Sequence, residues 1–128
     1  MKILVIEDEE LLREEIVGRI RKALPEHEVH EAARLAEAVW LAGSVRPGLC
    51  ITDLNLKDSW GDQTVPTLNA VLPAECEVFV CTAFDFAGKL PGIKQFFDKP
   101  PDFAAMLDAI KDSAARYAAW ERQHEGEP

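Results

Sequence analysis

The amino-acid sequence predicts a doubly wound α/β sandwich. It consists of a five-stranded parallel sheet between two helical layers, in (βα)5 order, with a shortened or degraded fourth helix. Three observations predict it. Five short strand-like runs alternate with longer segments of helical periodicity, the order that lays helices on both faces of a parallel sheet. The runs around Leu4, Cys50 and Phe79 are nearly continuous Ile, Leu, Val, Phe and Cys, as strands buried on both faces require. The 128 residues, 48% hydrophobic and 29% charged, suit one soluble core.

The strands are expected at Lys2–Ile6, Glu28–Ala32, Leu49–Asp53, Val78–Thr82 and Gln95–Lys99, the second being the weakest. In the first helix Leu12, Ile16, Ile20 and Leu24 recur every four residues, and Pro25 stops it. Glu9 and Glu10 open that helix and Arg19, Arg21 and Lys22 close it, as the helix dipole prefers. The second helix runs from about Arg34 to Ala42, with Gly43 as its stop signal. The third lies within Gln63–Leu72. The last runs from about Asp102 to Arg122, with Phe103, Met106, Leu107, Ile110, Ala114 and Tyr117 on one face. Only twelve residues separate Thr82 from Gln95, and Gly88, Pro91 and Gly92 are among them. These residues are poor in helix interiors, so one or two turns, or a loop, are expected there.

The net charge is −9 and no Lys/Arg stripe stands out, which argues against nucleic-acid binding. The apolar run Ile3-Leu4-Val5-Ile6 is too short for a signal peptide or a membrane span. No membrane association and a cytoplasmic location are expected. Three cysteines, Cys50, Cys76 and Cys81, argue against a disulfide framework. Cys76 and Cys81 with His27 and His30 have only loosely zinc-like spacing, and such sites usually use tighter ligand pairs.

Ligands of an open parallel sheet bind beyond the carboxyl ends of its strands. Strand one ends in Glu7-Asp8, strand three in Asp53, strand four in Thr82-Ala83 and strand five in Lys99-Pro100. Any one of these alone reads as a turn or a helix cap. Together they gather three carboxylates, a hydroxyl and an ammonium at one edge. Such carboxylates repel unless a cation neutralises them. Mg²⁺ fits, because it takes few carboxylates, keeps waters and accepts phosphate oxygens. Asp53 can attack phosphorus, while Lys99 and the metal offset charge on the transferring group.

These segments resemble the response-regulator receiver domains. Ile3-Leu4-Val5-Ile6-Glu7-Asp8-Glu9 is similar to their opening strand and acidic pair. Ile51-Thr52-Asp53-Leu54-Asn55-Leu56, with Gly61 eight positions past the Asp, resembles their phosphoacceptor segment. Val80-Cys81-Thr82-Ala83 and Phe97-Asp98-Lys99-Pro100 resemble the switch and Lys-Pro segments. The resemblance covers nearly the whole chain and implies a CheY-like, flavodoxin-type fold, with a receiver domain over residues 1–122 and a polar tail over 123–128. It implies that Asp53 takes a phosphoryl group from a histidine kinase or histidine phosphotransfer protein. Asp8 would ligate Mg²⁺ directly, Glu7 mostly through water, and Asn55 through its backbone carbonyl. Thr82, Ala83 and Lys99 would hold the phosphate. The Lys99-Pro100 bond is typically cis in this family.

The sequence also departs from the family. Lys57 stands where Pro is common, and the Thr82–Lys99 interval is about a helical turn short. The loop Cys81-Thr82-Ala83-Phe84-Asp85 partly matches a compact group of single-domain receivers named for a FATGUY motif. Phe96 occupies the place of the family's moving aromatic, where switching and plain core packing are both open. No effector domain is expected, so the expected output is contact with a downstream protein or a homodimer. Tyr117 and Trp120 on the end of the last helix are candidates for that contact, and Trp60 lies near the expected site. The competing readings are a degenerate receiver that binds partners without phosphorylation, and a haloacid-dehalogenase-like phosphatase. The latter would need an Asp two residues past a nucleophile on strand one, where Glu10 stands here.

Overall fold

A computed structural model of the chain describes residues 1–83 and 90–126. The strands are β1 (Lys2–Ile6), β2 (Glu28–Ala32), β3 (Leu49–Thr52), β4 (Glu77–Thr82) and β5 (Gln95–Asp98). The helices are α1 (Glu10–Ala23), α2 (Leu35–Val45), α3 (Thr64–Asn69), entered through a 3-10 turn at Gly61–Gln63, and α4 (Phe103–Gln123). All strand pairs are parallel, in the order β2-β1-β3-β4-β5. The chain thus winds outward both ways from β1, as predicted.

Alternation along each strand builds two cores. Ile3, Val5, Leu49, Ile51, Phe79, Cys81 and Phe97 face α1 and α4, whose Ile16, Val17, Ile20, Met106 and Ile110 cover them. Leu4, Ile6, Cys50, Val78 and Val80 face the other way, onto Ala38 and Ala42 of α2 and Val65 and Leu68 of α3. Both faces of β1, β3 and β4 are therefore dry, which accounts for their unbroken apolar sequences. Phe79 and Phe97 add a tilted ring contact at 5.9 Å.

Several boundaries differ from the sequence expectation. Gly43 does not stop α2, which continues to Val45 and ends where Arg46 turns left-handed, at φ 55°. With Gly43 exposed and nothing near its α-carbon, packing neither requires nor resists a glycine there. β3 stops at Thr52 and β5 at Asp98, so Asp53 and Lys99 are the first residues past their strands. α4 runs one residue past the expected Arg122, and Gln123 is helical rather than tail. Its end carries Tyr117 and Trp120, the candidates for a partner contact. Gly48, just before β3, is open enough to take the Tyr117 ring, which would lie 2.8 Å from a β-carbon added there. Tyr117 in turn stacks on Trp120 at 5.6 Å, and Trp120 on His124 at 4.5 Å. Of the twelve residues expected to carry the short fourth helix or a loop, 84–89, including Phe84, lie outside the described residues, and 90–94 are turn, bend and irregular backbone.

Candidate functional site

The carboxyl edge of the sheet collects the predicted groups because β1, β3, β4 and β5 run in parallel. β1 and β3 end level, with Ile6 paired to Thr52, while β4 runs two residues past Val80, the partner of Thr52, and ends level with β5, with Thr82 paired to Asp98. The residues that follow these strand ends, Glu7, Asp53, Ala83 and Lys99, all leave the sheet at this edge.

Glu7 and Asp53 are buried, at 2% and 7% exposure, and Asp8 is half-buried. Carboxylate oxygens of all three lie within 4.8 Å of one another. Lys99 reaches between two of them, with its ammonium 2.6 Å from Asp53 Oδ2 and 2.6 Å from Glu7 Oε1. The remaining oxygens are held by backbone. Leu54 N–H donates to Asp53 Oδ1 at 2.7 Å, Asn55 N–H to the same atom at 3.3 Å, and Glu9 N–H to Glu7 Oε2 at 3.2 Å.

Electrostatics follow from burial and pairing. Desolvation pushes the Glu7 carboxyl up, while its hydrogen bond from Lys99 pulls the other way. Desolvation disfavours the Lys99 ammonium, but its bonds to Asp53 and Glu7 outweigh that, and its proton is held more tightly than in water. A single ammonium faces three carboxylates. That donor set is oxygen-rich, negative in excess and partly open to water through Asp8, the chemistry that suits a hard divalent ion such as Mg²⁺.

Thr82 is buried at the end of β4, and Ala83 beside it is exposed. The Lys99-Pro100 peptide is cis. Ala83, Lys99 and Pro100 line one side of an open cleft of about 450 Å³ whose other side is Glu9, Leu11, Leu12 and Glu15 of the α1 end. Phe96 is half-buried and packs on the α2–α3 core. Trp60 is 64% exposed in the loop after Asp53.

The loop from Leu54 to Gly61 is closed by its own hydrogen bonds. Gly61 N–H donates to Asn55 Oδ1 at 2.7 Å, from a left-handed φ of 47° that glycine adopts without a β-carbon penalty. Ser59 and Thr64 hydroxyls share a bond at 2.6 Å, and Thr64 donates to the Leu54 carbonyl.

With this geometry in place, the sequence can be compared with known proteins. The profile of the response regulator receiver domain family matches residues 3–111. The chain belongs to that family.

Receiver domains are phosphoacceptor signalling domains of two-component systems, not enzymes in the ordinary sense, and they bind Mg²⁺ at an acidic pocket. Solved structures agree. The N-terminal domain of an uncharacterised protein from Wolinella succinogenes superposes with a TM-score of 0.82 at 28% identity, over 94% of this chain and 99% of that one. A two-component transcriptional regulator AraC from Clostridium phytofermentans gives a TM-score of 0.81 at 25% identity, covering 96% and 98% of the two chains. A CheY-like receiver domain from Methylobacillus flagellatus, 17% identical, shares the fold with a TM-score of 0.78, over 88% and 98%. No curated protein matches the sequence at a significant level.

The zinc alternative does not fit this receiver. His27 is bonded to the Met1 amino group and His30 to Glu28. Cys76 packs against the core under α2 and α3, whereas Cys81 lies in the core under α1 and α4, on the other face of the sheet. The acidic triad is the one metal-competent cluster among the described residues, and no described helix is long and apolar enough to cross a membrane.

Two neighbours of the site were not singled out by sequence. Arg13 donates to the Glu7 carbonyl at 2.8 Å and to Glu31 at 3.1 Å, tying the end of β1 to β2. Asp58 reaches the start of α2. Arg13 carries no sequence signal for its contact, since the group it reaches near the site is the backbone carbonyl of Glu7. Asp58 carries none either, since its partners are 22 and 23 residues away.

Proposed function

We propose that this receiver takes a phosphoryl group on Asp53 from a phosphohistidine protein, with Mg²⁺ held by Asp8, Asp53, the Asn55 carbonyl and, through water, Glu7. The observation that carries this reading is the meeting of three carboxylates within 4.8 Å, with Lys99 bridging Asp53 and Glu7. When bound, the metal supplies positive charge for the phosphoryl oxygens.

The chain's own residues do the rest. An Asp53 oxygen attacks phosphorus, forming a P–O bond as the donor's P–N bond breaks, and the electron pair leaves on the donor imidazole. Backbone N–H groups of Leu54 and Asn55 orient the Asp53 carboxylate before attack. Lys99 offsets charge on the transferring group. The Thr82 hydroxyl and the Ala83 N–H then hold the phosphate, and the small Ala83 side chain leaves room for it. Phe96 on β5 is the aromatic that answers this change.

The donor seats on the cleft between the α1 end and the Pro100 loop, where Leu11 is 78% exposed and directly borders the site. The same chemistry explains an output by protein contact in the cytoplasm, since phosphorylation changes charge at a surface edge where Trp60 is exposed.

Intact-mass measurement tests this on wild type and Asp53→Asn, after acetyl phosphate or a phosphorylated histidine donor, with and without Mg²⁺. One Mg²⁺-dependent phosphoryl addition, lost in the variant, is expected. A wild-type mass that no donor changes would instead make the protein a phosphorylation-independent binding module.

A further inference from the structure

The loop that follows Asp53 also holds the start of α2. Leu56 and Ser59 exchange backbone bonds, Leu56 N–H to the Ser59 carbonyl at 2.9 Å and Ser59 N–H to the Leu56 carbonyl at 3.3 Å. Lys57 and Asp58 are thereby the two apex residues of a tight turn, at the position where this sequence carries Lys57 in place of the family's common proline. From that apex Asp58 reaches across to α2. Its Oδ1 accepts the Leu35 N–H at 2.7 Å and its Oδ2 accepts the Ala36 N–H at 3.0 Å.

Those N–H groups are unpartnered donors at the first turn of a helix. A residue immediately before the helix usually satisfies them, but Arg34 stands there and makes no side-chain cap. The cap comes instead from a distant loop, and both carboxylate oxygens are committed to it.

The other end of the same loop holds Asn55, whose side chain is fastened to Gly61. The bonds through Ser59, Thr64 and the Leu54 carbonyl make the loop one braced piece. The piece thus begins beside Asp53 and is pinned to α2 at its apex.

We propose that Asp58 is a positioning residue of the phosphoacceptor site: its two-pronged cap on α2 fixes the Leu54–Gly61 loop and couples the site to that helix. The metal-affinity part of this inference rests on the function proposed above, and the loop-bracing part does not. Coupling of this kind is reciprocal, so occupancy of the site is felt at Leu35 and Ala36. Trp40 on the same helix is 70% exposed and presents the response at the surface.

The test uses the whole chain as wild type, Asp58→Ala and Asp58→Asn, with thermal melts to establish that each is folded. Amide exchange followed by NMR in metal-free protein comes first. Asp58→Ala is expected to speed exchange at Ser59 and Gly61 as well as at Leu35 and Ala36. Faster exchange confined to α2 would reduce Asp58 to a helix cap and overturn the proposal.

Mg²⁺ titration comes second. Asp58→Ala is expected to weaken Mg²⁺ binding by about tenfold, the scale on which groups that orient metal ligands act. Asp58→Asn, which keeps one acceptor oxygen, should fall between. An Asp58→Ala protein that is folded and binds Mg²⁺ like wild type overturns the coupling. A wild type that binds no Mg²⁺ overturns the metal-site reading and the affinity part with it, while the exchange measurement still decides the bracing.

Discussion

Lys99 is where the charges of the site are balanced. It is partly exposed, yet both of its carboxylate partners are buried and each is 2.6 Å away. Removing it leaves Glu7 and Asp53 facing each other without the cation that offsets their repulsion. Under the proposed function it also removes the cation that would offset charge on the incoming phosphoryl group. Lys99→Ala is therefore expected to slow phosphoryl addition from acetyl phosphate on the order of 100-fold. At equal extents of phosphorylation, measured by intact mass, its Trp60 fluorescence response is expected to be lost. A variant with wild-type rate and response would remove Lys99 from the mechanism. Asp53 and Lys99 were legible in the sequence because each follows directly on a strand, and the strand ends of a parallel sheet converge. Arg13 was not, because its target is a backbone carbonyl, and a carbonyl has no letter in the sequence.

Between elements, α4 and the sheet are joined at the end opposite the site by a two-pronged ion pair. Arg116 Nε lies 2.7 Å from Glu77 Oε2, and Arg116 donates again to Oε1 at 2.8 Å. Burial alone would push the Glu77 carboxyl up, but its bonds to Arg116 prevail and its pKa falls below the ordinary value. A depressed acid stabilises the fold above its unfolded pKa, and that contribution is lost as pH falls through the folded value. Arg116 is well exposed, so the pair is worth about 0.5–1 kcal/mol rather than a buried pair's energy. Arg116→Ala is expected to lower stability by that amount at pH 7, measured by denaturant unfolding. The difference should shrink as pH falls below the ordinary glutamate range and through the depressed folded value, where Glu77 protonates. A difference that is constant with pH would show that lost packing, not charge, is responsible. Tyr117 and Trp120 at the end of the last helix were read as candidates for contact with a partner. The absent side chain of Gly48 instead lets Tyr117 tuck under the sheet, a contact between residues too far apart for periodicity to reveal.

At the scale of the molecule, a net charge of −9 includes three carboxylates drawn together at one edge. Folding concentrates that charge, so a ligand that binds only the folded state and neutralises it stabilises the whole domain. Mg²⁺ at about 100 times its dissociation constant should add about 2.7 kcal/mol. A rise in melting temperature with Mg²⁺, absent from Asp8→Asn, is the expected result of thermal melts. An equal rise in both proteins would point to general charge screening instead. The core that supports this edge is continuous on both faces of β1, β3 and β4, so the melt is expected to report one cooperative unit.

The sequence by itself determined the sheet, its winding and the residues at each strand end. Apolar runs and helical periods are local signals, and a parallel sheet converts their order into a shared edge without further information. It also carried the family, because motifs tied to strand ends keep their order along the chain. The tertiary structure alone decided what each of those residues touches: Lys99 between two acids, Arg13 on the Glu7 carbonyl, Tyr117 against Gly48, and Asp58 on the start of α2. Several of these contacts join residues dozens of positions apart, and those of Arg13 and Asp58 end on backbone groups that every residue shares. Only the packing of the elements brings such groups within hydrogen-bond reach, and no local pattern encodes it.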